Sequence, residues 1–460
     1  MTPGLGVDAR PPTLRALLSL AWPVIVSRSS QSVVGLADAI MVAALGEAAL
    51  AATTTGALNF FNFIILPMGV VFIVQSFTAQ LTGKQDDEGA RRYGWYGLVI
   101  AAVCGALVVP ALPFIDELLR LFAYEPDVTA RMTSYLQIRA LSLGAALGVE
   151  ALGAYFGGLG NTRLPMAFNL VAMGVNVFLN WVLIFGNLGA PALGVDGAAL
   201  ASVLATSVAF LGLFACFFLG KGGGARRATA LRAHEVLRVL RFGLPSGLNW
   251  FFEFLAFSFF INVVVAGLGT TALAAVMLVF QLNSVAFMPA FGVATAGAIL
   301  VGQAIGADRK DRVPRATLLA MGTSGGWQLL VGLVYLSAPV TLLALIADPS
   351  AVSPELLEMG ARILMLSVAW QLSDAAAITL SEVLRAAGDT AFPLWARTII
   401  AWGLFAPGSY ATVHVFGGTD VAAVLWIVFY LSALAGVLWW RFSSGAWRSI
   451  ELVERELPST

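Results

Sequence analysis

Charge is what this sequence has least of. Only 11% of its 460 residues are Asp, Glu, Lys or Arg, where a soluble domain carries about 25%. The 26 basic and 26 acidic residues cancel, so no global field of one sign draws in a polyanion, and a nucleic-acid partner is excluded. Histidine is scarcer still. His234 and His414 stand far apart in the chain and cannot form an HExxH zinc pair. The two cysteines, Cys104 and Cys216, lie inside apolar runs and read as small packing residues, not as a disulfide framework. A phosphate-binding GxxxxGK[ST] loop is missing too: Gly83-Lys84 and Gly220-Lys221 lack the rest of it. No ATP motor is encoded, no cofactor is expected, and no nucleophile or metal constellation points to an enzyme.

What remains is apolar. Hydrophobic residues make up 59% of the chain and the mean hydropathy is +0.86. A membrane-spanning helix needs about 20 such residues. Punctuation by charge, Gly, Pro, Asn and Asp leaves twelve candidate spans: 14–44, 50–82, 93–114, 130–158, 164–187, 195–219, 236–266, 272–304, 314–345, 353–386, 391–414 and 420–441. The runs are continuous, without the two-residue alternation of a membrane β-barrel. Pro23, Pro67, Pro245 and Pro289 fall inside helical patterns and mark expected kinks. The first run is too long for a signal-peptide core and reads as an uncleaved anchor. Of the 26 basic residues, 21 are assigned to one set of loops and tails and 3 to the other, with Arg28 and Arg139 inside helices. That asymmetry places both termini in the cytoplasm of a cell (inner) membrane protein.

The chain is also a duplication. Pro23 matches Pro245 and Pro67 matches Pro289 at an offset of 222. Gln80, Gly83 and Arg92 match Gln303, Gly306 and Arg315 at 223. Gly160-Asn161-Thr162 matches Gly388-Asp389-Thr390 at 228, and Gly194 and Asp196 match Gly418 and Asp420 at 224. Six spans per copy is an even number, so the copies enter the membrane in the same direction, a parallel repeat. The expected layout is a tail at 1–13, an N-lobe at 14–220, a linker at 221–233, a C-lobe at 234–445 and a tail at 446–460. Transporters of this build place substrate between lobes and alternate access by rocking.

An ionisable group at bilayer depth is a functional hypothesis by default. Asp38 follows Ser27 and Gln31 on one helix face, as a proton or cation site or a buried structural acid. Glu253 shares a face with Ser246 and Asn249, and the repeat offset carries it onto Gln31. The two lobes therefore hold their carboxylates at different depths. Asp374 follows Gln371 and Trp370. Two carboxylates in one apolar lobe must share a proton, bind a cation or meet an arginine. Glu150 has Arg139 three turns earlier and is as readily a structural partner of an arginine as a functional acid. Glu382 and Arg385 read as a local salt bridge, and Arg28 as structural. Asn176 and Asn180, four apart, and Ser202 could ligate a cation or act as interhelical glue. Gln31, Asn249, Gln281, Asn283, Trp370 and Phe287 are candidate cavity residues, the aromatics as contacts for a cationic drug.

These features resemble the multidrug and toxic compound extrusion (MATE) transporters, in the NorM-like branch. Twelve spans in a six-plus-six repeat, Pro23 followed by Asp38, Gly158–Thr162 with Gly388–Thr390, Val301–Arg309 after span eight and Gly194–Ser202 opening span six carry the resemblance over nearly the whole chain. It implies an all-α integral membrane fold, a V of two six-helix bundles. It implies export of amphipathic, mostly cationic organic compounds and drugs in exchange for H+ or Na+. It makes Asp38 the N-lobe coupling acid with Asn176, Asn180 and Ser202 around it, and Glu253 with Asp374 a C-lobe cation site beside the aromatic Trp370. Na+ would sit at Asp38, Asn176 and Asn180, or at Glu253 and Asp374. The expected partners are small organic cations and the lipid bilayer, and the expected state is a monomer. The rival within the wider superfold is a flippase of lipid-linked saccharides, for which a more basic cavity is expected.

Overall fold

The computed structural model describes residues 12–120, 125–225, 230–346 and 353–454. Residues 1–11 and 455–460 of the expected tails and residues 226–229 of the linker, with Arg10, Arg226, Arg227 and Arg455, lie outside these. Among the described residues the regular structure is helical. That is what lipid imposes, because each backbone N–H and C=O must be satisfied within its own segment.

The first repeat runs α1 (Leu14–Ala43), α2 (Glu47–Phe72), α3 (Val74–Gly83), α4 (Asp87–Val108), α5 (Ile115–Leu119), α6 (Pro126–Ala140), α7 (Leu143–Gly158), α8 (Arg163–Phe185) and α9 (Val195–Phe218). The second runs α10 (Ala233–Phe259), α11 (Thr270–Gly306), α12 (Val313–Ser337), α13 (Pro339–Ile346), α14 (Pro354–Ala387), α15 (Ala391–Thr398), α16 (Ala406–Tyr410) and α17 (Asp420–Ser443). Pro23, Pro67, Pro245 and Pro289 lie inside helices that continue past them.

Among the described residues nine helical runs are long and apolar enough to cross a membrane, and the pair α6–α7 makes a tenth if it is one span. The chain is a multi-pass membrane protein. The other two expected spans are helical with interruptions of composition or geometry. In α1, Arg28, Gln31 and Asp38 dilute the apolar run. Between residues 391 and 415, α15 and α16 alternate with wide π turns at Ile399–Phe405 and Ala411–Val415. Two boundaries differ from the sequence reading. The span expected at 130–158 is bent by 48° between α6 and α7. The span expected at 314–345 ends at Ser337, because Pro339 opens α13, where a missing N–H costs nothing.

The duplication is written into the backbone. Gly46, before α2, has φ 103° and ψ 172°; Gly269, before α11, has φ 106° and ψ 171°. Glycine alone takes such values freely. Gln85 and Asp308 both adopt positive φ, 61° and 56°. Each is followed by an amide that reaches back to close the helix end, Asp86 to the Leu81 carbonyl at 2.9 Å and Arg309 to that of Ala304 at 2.8 Å.

The chain forms two compact units, and their boundary is not the linker. One unit is Val26–Gly247; the other takes the chain from Leu248 onward together with α1 up to Ile25. The cuts fall inside α1 and α10, two residues after Pro23 and after Pro245. Packing explains this. Leu17, Leu20 and Ala21 of α1 share a core with Val293, Ala296 and Ile299 of α11 and Ala320 of α12. The first half of α10 lies on α2: a Cβ placed on Gly69 would sit 2.6 Å from the Gly247 Cα. The repeat-related contact is Gly292 against Ile25, where an added Cβ would meet Cγ1 at 2.6 Å.

Both close approaches need glycine. Gly69→Val is expected to lower stability by about 1–3 kcal/mol through overpacking against backbone. Gly174→Ala, where nothing stands within 4 Å of the new carbon, is expected to gain about 0.5–1 kcal/mol of helix stability. Thermal unfolding in detergent measures both, and a Gly69→Val protein melting with the wild type would refute the close approach.

Candidate functional site

Asp38 lies on the part of α1 that belongs to the first unit. Asn180 donates to its Oδ1 through Nδ2, and Ser202 donates to Oδ2 at 3.4 Å. Asn176 stands one turn before Asn180 on α8, donates to the Ser202 hydroxyl at 3.2 Å and accepts from Asn180 at 3.2 Å. All three neighbours are buried. The four residues expected to form the first site are thus joined in one network. Asn180 Oδ1 is buried and has no hydrogen-bond partner. Among the described residues no basic side chain bonds to Asp38; Arg139 reaches it only through space. The donor set is a carboxylate, two amide oxygens and a hydroxyl, which suits a proton or a hard cation with oxygen ligands. Among the described residues no three His, Cys, Asp or Glu side chains converge on a common point.

The polar stripe on α1 is not uniform. Ser27 is buried and accepts from Asn169 at 2.6 Å, whereas Gln31, one turn further on, is exposed and so open to whatever fills the space beside it. Glu150 meets an arginine, but not Arg139. Arg28 clamps it with two bonds, 2.9 and 3.0 Å. Arg139 instead lies over the Phe60 ring, 4.9 Å from its centroid, and donates to Ser142. Arg28, read from the sequence as structural, is the base of the Glu150 pair.

In the second unit Glu253 meets an arginine as well. Its partner is Arg397 on α15, which the orientation count had placed among loop bases. Arg397 is buried, and donates to Tyr430 Oη and Ser381 Oγ at 3.5 Å each. Asp374 accepts from Gln328 Nε2 at 3.4 Å and lies within electrostatic reach of Glu253 and Arg397. Asn283 accepts from Gln371 at 2.5 Å and from Ser367 at 3.4 Å. Asn249 is buried with its Oδ1 unbonded. Trp370, expected as a drug contact, is a core residue packed edge-on against Phe280. Phe287 is exposed and stacks on Phe291, and Gln281 is exposed. Glu382 and Arg385 form the expected local pair at 2.5 Å. Sequence reasoning missed Arg397 and Gln328. Both were visible as polar residues within apolar runs, and two carboxylates without a base in the same lobe were reason to look for one.

A duplicated multi-pass helical protein with carboxylates inside its spans has the build of a membrane transporter. The chain belongs to the MatE family, whose model matches residues 23–182 and 245–411. Each match begins on one of the paired prolines that precede the unit boundaries. The chain is 29% identical over 437 residues to the multidrug resistance protein NorM of Burkholderia vietnamiensis, covering 93% of this chain and 89% of the relative. Its fold is that of a solved multidrug resistance MATE family transporter of the MOP superfamily in an outward-facing conformation, with a TM-score of 0.84 at 22% identity over 95% of this chain and 97% of that one. It is equally that of a MOP superfamily transporter from Pyrococcus furiosus Vc1, whose binding pocket of reverse polarity suggests a different function, with a TM-score of 0.85 at 21% identity over 98% and 100%.

The Arg28–Glu150 pair supplies a structural test. Glu150→Ala takes the carboxylate from a largely buried arginine and is expected to cost about 3–5 kcal/mol. Denaturation in detergent reads this directly, and a loss below about 1 kcal/mol, the scale of an exposed pair, would show the pair to be dispensable.

Proposed function

We propose that this chain is a multidrug efflux antiporter of the inner membrane, with both termini in the cytoplasm. It exports amphipathic organic cations in exchange for H+ or Na+, and works as a monomer in the lipid bilayer. The observation that carries this reading is the Asp38 network: a carboxylate inside a span, bonded by amide and hydroxyl groups and, among the described residues, by no base, beside an unbonded buried amide oxygen. The fold leaves the cargo open, since unrelated functions share folds; the sign of the unpaired charge is the argument.

An ionised carboxylate at mid-bilayer costs about 2.5–3.5 kcal/mol on insertion scales, so Asp38 calls for a cation. A proton converts it to a donor, which can bond the free Asn180 oxygen. Sodium instead gathers the Asp38, Asn176, Asn180 and Ser202 oxygens. In either case the charge that attracts a cationic drug disappears and the ties from α1 to α8 and α9 rearrange. Ion and drug thereby compete, and the coupling is reciprocal: each weakens binding of the other.

The test is uptake of ethidium into proteoliposomes under a proton gradient or a sodium gradient imposed separately. Wild type is expected to respond to one of them, and Asp38→Asn to fall to the level of protein-free vesicles while folding normally. Wild-type transport that neither gradient drives, or an Asp38→Asn protein that remains gradient-driven, would overturn the proposal.

A further inference from the structure

The two repeats tie the same pair of helices together by different chemistry. In the second unit Glu253 of α10 pairs with Arg397 of α15. The repeat offsets carry these positions onto Gln31 of α1 and Asn169 of α8. There the tie between helices is neutral: Asn169 donates to Ser27 at 2.6 Å, and Gln31 is exposed. The converse also holds. The offsets carry Asp38, Asn180 and Ser202 onto Phe260, Gly408 and Trp426. Phe260 is fully buried and packs 5.2 Å from the Phe405 ring, while the Trp426 ring lies where a Cβ on Gly408 would be, 2.2 Å away. The second unit has filled the first unit's ion site with aromatic rings. It has placed an arginine where the first unit has an amide.

We propose that Arg397 is a tethered counter-cation for Glu253, so that Glu253 is a positioning group and takes up no exchangeable ion. Asp374 is then the ion-accepting carboxylate of the second unit. This rests on reading the chain as an ion-coupled transporter. The charge arithmetic supports it. Among the described residues the groups in electrostatic contact are Glu253, Arg397, Asp374 and the neutral Tyr430 phenol. With Arg397 positive, one negative charge is left over, which one monovalent cation at Asp374 cancels. A second cation at Glu253 would leave Arg397 buried without its carboxylate. Arg397 cannot swing out to water either, since its side chain is 6% exposed and also bonded to Tyr430 and Ser381, whereas that of Glu253 is 33% exposed.

The experiment is thermal stability of the purified full chain in detergent, in sodium against choline chloride and across pH, for wild type, Arg397→Gln and the double variant Glu253→Gln/Arg397→Gln. Arg397→Gln is expected to gain a response to sodium or to protons beyond that of the wild type, a further rise of several degrees in Tm, because Glu253 must recruit an ion in place of the lost guanidinium. The double variant is expected to return to the wild-type response. A response in Arg397→Gln equal to the wild type's overturns the proposal, as does a double variant whose response falls below it, since Glu253 would then have been an ion acceptor. If Arg397→Gln fails to fold, the double variant decides by the same criterion. Failure of the drug-export reading is seen separately, as absent ethidium transport by wild type, and leaves the melting comparison intact.

Discussion

The ionisable groups that this protein takes out of water answer to one constraint: a buried charge must meet an opposite charge or oriented dipoles, or give its own up. The energies are decisive at this scale. An unpaired ion at mid-bilayer costs about 2.5–3.5 kcal/mol on insertion scales, and stripping a partner from a buried pair costs about 3–5 kcal/mol. Total stabilities are of the order of 5–15 kcal/mol. The chain meets the constraint locally. Arg28 meets Glu150, Arg397 meets Glu253, Arg385 meets Glu382 and Arg92 meets Glu235. Asp38 and Asp374 stand apart, because their hydrogen bonds come from amides and a hydroxyl. A carboxylate solvated by neutral dipoles is held in place without being neutralised. That is the condition in which an ion can come and go.

The duplication explains how this condition arises at different places in the two units. The backbone keeps the repeat where geometry matters, in the Gly46 and Gly269 turns, the closures after Gln85 and Asp308, and the paired contacts of Gly69 and Gly292. The side chains do not keep it where chemistry matters. Asp38 has Phe260 at its repeat position, and Glu253 has Gln31. A scaffold that demanded a buried acid at one position would show it in both copies. These acids are local additions to a symmetric frame, and so is the arginine that neutralises Glu253.

How legible this was in the sequence depended on the range of the interaction involved. Helical runs were legible because hydropathy is a local property, and the repeat because glycines and prolines fix backbone directly. Asn176 and Asn180 share a face by spacing alone, and family resemblance joined them to Asp38 and Ser202. The partner of Glu150 was not legible: the near arginine in sequence, Arg139, lies on Phe60, while Arg28 reaches across 122 residues. The bend at Leu141 and Ser142 carries no proline to announce it. Arg397 was misassigned because it stands close after a span boundary, where bases usually face water; its carboxylate lies on a helix more than a hundred residues earlier. Trp370 lies in the core for the same reason, since a helix face read from spacing does not say which neighbour covers it.

The unit boundaries add a final step. Two residues after their prolines, α1 and α10 each pass from one compact unit to the other. Asp38 sits fifteen residues beyond Pro23 on such a helix, and Glu253 eight residues beyond Pro245 on its counterpart. The first acid is held by amides that can re-pair, and the second by an arginine that cannot leave. On the same duplicated frame, one crossing helix is therefore anchored by neutral hydrogen-bond donors, and the other by an ion pair. Within the first unit the Asp38 bonds tie α1 to α8 and α9, and within the second the Glu253–Arg397 pair ties α10 to α15.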